Sequence, residues 1–217
     1  AAGIGGLDLG AGLPYLRKLA GRATYPLVSA NLRDVDGNLL FPASTLVRRG
    51  DLVVGVTSVL PGKLIADDYQ TSEPLSAARA EVKALRKQGV DLVVVLSNLG
   101  LKSDRALARS SGADVILGSR SREILAESEH VGRTVIAHAG SRGRYLGDVR
   151  WYGSGRGRGP HLVGTTTPVF ADGPVSSGVA LVVARLLERL SDATLGVEPL
   201  WPGSPAHPGT STLEERR

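Results

Sequence analysis

The chain contains no cysteine and no methionine, and aromatic residues make up only 4% of it. The first absence removes disulfides, thiolate nucleophiles and cysteine-based zinc sites together. It leaves the redox compartment open, because a chain without thiols is stable in any. The second absence means that residue 1 is not an initiating methionine; the expectation is a removed leader or an internal position in a longer polypeptide. With 2 Trp, 5 Tyr and 2 Phe, the core has to be built from aliphatic side chains. No apolar run approaches the roughly 20 residues of a membrane-spanning helix, so no span is expected.

What remains is a chain of 217 residues, long enough for one domain with a substantial core. Basic residues exceed acidic ones by 26 − 21 = 5, with a concentration over residues 140–160. Such a bias bears on anionic partners rather than on fold. Pro, Gly, Ser and Thr dominate from Trp201 onward, which places a domain over residues 1–195 and a tail or linker over 196–217.

Local patterns supply the elements. A short helix is expected over Leu13–Leu19 and a strand over Tyr25–Leu32. A hairpin follows, 39–47 with 52–59, turning at Arg48-Arg49-Gly50-Asp51. Leu75, Ala78, Val82 and Leu85 share one face of a helix over Pro74–Gln88, capped by Ser72 or Thr71 and ended by Gly89. Continuously apolar strands at 91–97 and 114–117, separated by a helix near 103–110, suggest a sheet covered on both faces. Residues 133–137 and 145–152 read as antiparallel strands around a Ser-Arg-Gly turn, followed by a glycine loop over 153–160. A last helix over Val175–Leu190 carries Val179, Val182, Val183, Leu186, Leu187 and Leu190 on its apolar face. The histidines His130, His138, His161 and His207 show no metal-binding spacing and read as surface or strand-end residues.

Several blocks occur in a recognisable order: Gly5-Gly6-Leu7-Asp8, Tyr25-Pro26-Leu27-Val28-Ser29-Ala30-Asn31-Leu32, Ser97-Asn98-Leu99-Gly100, Gly118-Ser119-Arg120-Ser121-Arg122 and Ala139-Gly140-Ser141-Arg142-Gly143-Arg144-Tyr145-Leu146-Gly147. The series resembles the metallophosphatase domain of the 5′-nucleotidase family, within the calcineurin-like phosphoesterases. The resemblance implies an α/β fold, an α-β-β-α sandwich whose N-terminal strands would precede residue 1. In the family, a metal-binding Asn and a catalytic His in the first block, and histidines of the third and fourth, build a two-metal centre. The corresponding positions here are Gly6, Leu7, Asn98, Arg120 and Arg122.

A two-metal phosphoesterase needs His, Asp and Asn donors at several strand ends, to activate water and neutralise phosphoryl oxygens. Gly6 and Leu7 offer no donor atom, Asn98 offers one carbonyl oxygen, and a guanidinium has no lone pair to give. The expectation is therefore a pseudoenzyme without cofactor or bound metal, serving as a structural or interaction component of a larger protein or complex. Its companion would be another protein chain or an upstream segment of the same polypeptide, because an incomplete sheet leaves an edge open to pairing. Two alternatives stand beside it. Arg120 and Arg122 could hold a phosphate or nucleotide without hydrolysing it, unless they pair with Glu123 or Glu127. A preceding segment could also supply ligands and restore a phosphoesterase. Nucleic-acid binding through Arg142, Arg144, Arg150, Arg156 and Arg158 is disfavoured, since arginines between glycines are usually solvated. The family's habit implies a periplasmic or exported protein.

Overall fold

The computed structural model describes residues 1–153, 161–170 and 176–194. The chain divides into two units, Ala1–Phe170 and Ala171–Arg217.

The first unit opens with β1 (Ala2–Gly3), a 3₁₀ turn over Gly6–Leu9 and α1 (Leu13–Arg22). The anticipated strand over Tyr25–Leu32 is broken into β2 (Leu27–Val28) and β3 (Leu32–Arg33). Buried polar side chains explain the break: Ser29 Oγ accepts from Leu32 N, and Asn31 both donates to Leu60 O and accepts from Leu60 N. The hairpin is found as β4 (Ser44–Arg49) and β5 (Leu52–Val59), with Gly50 in the left-handed region at its turn. After β6 (Gln70–Thr71) comes α2 (Pro74–Lys87). Its cap is Glu73, whose carboxylate accepts from Leu75 N and Ser76 N, and not Ser72 or Thr71. Thr71 is unavailable because it pairs with Leu32 across β6 and β3 and donates to Pro61 O.

The sheet that positions the loops continues through β7 (Leu92–Ser97), α3 (Leu101–Ser111), β8 (Val115–Gly118), β9 (Glu129–Val131) and β10 (Thr134–His138). Its order is β4-β5-β7-β8-β10-β9, parallel from β5 to β10 and antiparallel at both edges. One face is covered by α2 and α3, with Val82, Leu85, Val93, Val95, Leu107, Ile116 and Ile136 in the shared core. Gly55 makes this packing feasible, since a side chain there would meet Leu85 Cδ2 at 2.9 Å. A second cluster gathers Ile4, Leu9, Leu13, Leu16, Leu32, Phe41 and Leu60 beneath the N-terminal segment.

The expected pairing of residues 133–137 with 145–152 is not what forms. β10 pairs with β8 and β9, while β11 (Tyr145–Tyr152) pairs with β12 (His161–Pro168) in a separate ribbon. Positive φ at Gly140, Arg142 and Gly143 redirects the chain between β10 and β11. The ribbon lies near β10. Between it and the sheet, among the described residues, lies an apolar cleft of about 600 Å³ lined by Val54, Val94, Leu117 and Ala139 and by Val149, Trp151 and Leu162 of the ribbon.

The second unit contains α4 (Ser177–Thr194), close to the expected helix. The glycine loop over 154–160, the side chains of Leu186, Leu187 and Leu190, and the tail over 196–217 lie outside the described residues.

Candidate functional site

Parallel strands deliver their C-terminal ends to one edge: Val59, Ser97, Gly118 and His138 lie side by side by register. The loops leaving this edge carry most of the residues singled out by the sequence. Asn98 follows β7, and its Oδ1 accepts from Gly6 N at 3.1 Å. Its Nδ2 donates to Ser119 Oγ at 3.1 Å, and Ser119 in turn donates to Ser97 O. The structure thus brings Gly6 and Asn98 together and ties both to the loop after β8.

Leu7 is 97% exposed and has turned away from this cluster into solvent. Asp8 folds back instead, its Oδ2 accepting from Gly5 N at 2.8 Å. Arg120 and Arg122 are exposed on the loop after β8. Among the described residues neither forms an ion pair, with Glu123, Glu127 or any other acid.

The donor set does not fit a pair of metal ions. Gly6 contributes only a backbone N–H, and that donor occupies the Asn98 oxygen. Arg120 and Arg122 present fixed positive charge, which repels a dication. Among the described residues, no group of three or more His, Asp or Glu side chains is placed to hold a metal ion.

A second constellation at the same edge escaped the sequence reading. His138 closes β10, at the strand end expected for it, and is buried there, 1% exposed. Its Nε2 lies 2.7 Å from Asp104 Oδ2, and Asp104 itself is fully buried. The other Asp104 oxygen accepts from Ser97 Oγ at 2.5 Å, and Ser97 Oγ accepts from Leu99 N. On its far side, His138 Nδ1 is 2.8 Å from Ser121 Oγ. With the Nε2 proton directed at the carboxylate, Nδ1 is left to accept from the Ser121 hydroxyl.

Gly118 makes room for this arrangement, since an added Cβ would fall on the His138 ring and the Asp104 carboxylate. The sequence did contain a signal. Leu101, Asp104, Leu107, Ala108 and Ser111 form the buried stripe of α3. A carboxylate on such a stripe demands a buried partner.

No protein-family model matches the chain. An apyrase of Anopheles gambiae is 34% identical over 123 residues, covering 52% of this chain and 21% of the apyrase. Among solved structures, a sulfate thiohydrolase from Thermus thermophilus superposes with a TM-score of 0.77 at 24% identity, covering 88% of this chain and 37% of that one. A 5′-nucleotidase precursor, also from Thermus thermophilus, gives 0.73 at 20% identity, covering 89% and 43%. The chain spans between 21% and 38% of the length of the curated relatives it matches. The described fold is that of the calcineurin-like phosphoesterases. In sequence the chain is similar to mosquito apyrases, 29% identical over 191 residues for that of Aedes aegypti, and to a metallophosphoesterase of Bacillus subtilis, 27% identical over 154 residues.

Proposed function

We propose that this domain does not carry out two-metal phosphoester hydrolysis and instead serves as a structural or interaction component of a larger protein or complex. The observation that carries the reading is the fate of the ligand positions. Leu7 is solvent-exposed, and the Asn98 oxygen is already bound by Gly6 N. An interaction role is supported by the sheet face opposite α2 and α3, where Leu117 is 36% exposed beside an open apolar cleft. An upstream segment or a partner chain is the companion this face suits. The likeness to a nucleotidase precursor and to apyrases favours an exported protein. Among the described residues, no helix is long and apolar enough to cross a membrane.

One observation favours a second role within the same reading. Arg120 and Arg122 are exposed beside Ser119 and form no ion pair among the described residues, at the edge where parallel α/β sheets receive ligands. A guanidinium fork suits phosphate oxygens, so these residues are assigned to binding a phosphate-bearing anion. Calorimetric titration with phosphate and with AMP is expected to give saturable heat that Arg120→Ala abolishes. Turnover of AMP or of a phosphodiester with added Mn²⁺, at rates of about 1 s⁻¹ or more, would overturn the loss of phosphoesterase chemistry.

A further inference from the structure

We propose that Ser121 is a nucleophile, with His138 as its general base and Asp104 as the group that orients the ring, acting on a small carboxylic ester that carries negative charge. The geometry is that of an activated serine: hydroxyl to imidazole 2.8 Å, imidazole to carboxylate 2.7 Å. The two ring nitrogens exchange their usual places, which leaves the proton path unchanged because either can accept while the other donates.

Burial separates the three parts as the chemistry requires. Asp104 and His138 are withdrawn from water, whereas Ser121 is half-buried on a loop at the ligand-receiving sheet edge. The carboxylate is held by Ser97 Oγ as well as by the ring, so the imidazole has one orientation available. A network serving only to pin the loop has no need to end on a reachable hydroxyl between two exposed cations. The backbone N–H groups of Ser121 and Arg122 have no partner among the described residues, which leaves donors in the loop for an oxyanion.

The step balances without metal or redox partner. Ser121 Oγ attacks the ester carbonyl carbon while its proton passes to His138 Nδ1, and the imidazolium is stabilised by Asp104. The tetrahedral intermediate collapses with cleavage of the ester C–O bond. The leaving alkoxide takes the proton from Nδ1, and the acyl group stays on Oγ. Water then gives a proton to Nδ1 as it attacks the acyl carbon. Cleavage of the C–Oγ bond returns that proton to Ser121 and releases a carboxylic acid.

A carbonyl develops one anionic oxygen, whereas a phosphoryl group spreads charge over three and asks more of a site without metal. The preference for negative charge rests on the anion-binding reading of Arg120 and Arg122; the nucleophile does not.

The test uses the full chain in chelator-treated buffer. It is exposed to a fluorophosphonate probe, mapped by peptide mass spectrometry, and assayed with p-nitrophenyl acetate and mono-p-nitrophenyl succinate. The expected result is an adduct on Ser121 and hydrolysis that falls by about 100-fold or more in Ser121→Ala and in His138→Gln. The anionic ester is expected to show the higher kcat/KM, an advantage that Arg120→Ala removes. Circular dichroism checks the fold of each variant; should His138→Gln not fold, the wild-type labelling still decides. No adduct on Ser121 in the folded wild-type chain, or wild-type hydrolysis by Ser121→Ala, would overturn the nucleophile. An adduct without preference between the esters upholds the nucleophile and removes the anion-binding part alone.

Discussion

Asn98 shows how one amide can tie two loops together at the edge of a sheet. It stands where the family resemblance puts a histidine, and it now uses both ends of its amide to join Gly6 to Ser119. That was legible only in part. That an amide cannot act as an imidazole could be read from the residue type, but its use as a bridge depends on β1 and β7 lying together. The same limit hid the buried histidine. His138 and Ser121 are 17 residues apart, and Asp104 lies 34 from His138. Only the parallel pairing of β8 with β10, which sets Gly118 beside His138, brings the three into contact. Gly118→Ala tests how tightly this is built. The methyl would displace the ring and carboxylate, so a loss of at least about 1–3 kcal/mol is expected in urea unfolding. A variant as stable as wild type would show that the network is loosely held.

At the scale of elements, helices and continuously apolar strands were readable because their periodicity is local. β5, β7 and β8, α2 and α3 all lie within a few residues of expectation. β12 was not readable: its Thr- and Gly-containing sequence lacks apolar alternation, and it is held in place by pairing with β11. The cap of α2 was misassigned for a related reason, since tertiary pairing had already claimed Thr71. Burial pushes the Glu73 carboxyl up, but the Ser76 and Leu75 N–H groups outweigh it and hold it below its ordinary range. A carboxyl depressed on folding stabilises fully above its unfolded pKa and loses that contribution as pH falls through the lower folded value. Glu73→Ala should therefore cost about 0.5–1 kcal/mol at neutral pH, with the gap to wild type closing in acid. Urea midpoints for both proteins at each pH measure this, and a gap independent of pH would contradict the cap.

For the whole molecule, the fold class was implied by the family resemblance of the ordered sequence blocks, and the structure agrees in a mixed α/β unit around a central sheet. The continuously apolar strands implied two covered faces; α2 and α3 lie on one, and among the described residues the β11–β12 ribbon lies near β10 with an apolar cleft between ribbon and sheet. A phosphoesterase frame with carbon, amide and guanidinium at its ligand positions is the centre of the account. Elemental analysis of the purified protein, after equilibration with Mn²⁺ and Zn²⁺ and removal of loosely held ions, tests it most directly. The account predicts well under one transition-metal ion per chain, with no change on Asn98→Ala. A stoichiometric pair of ions that Asn98→Ala releases would contradict it.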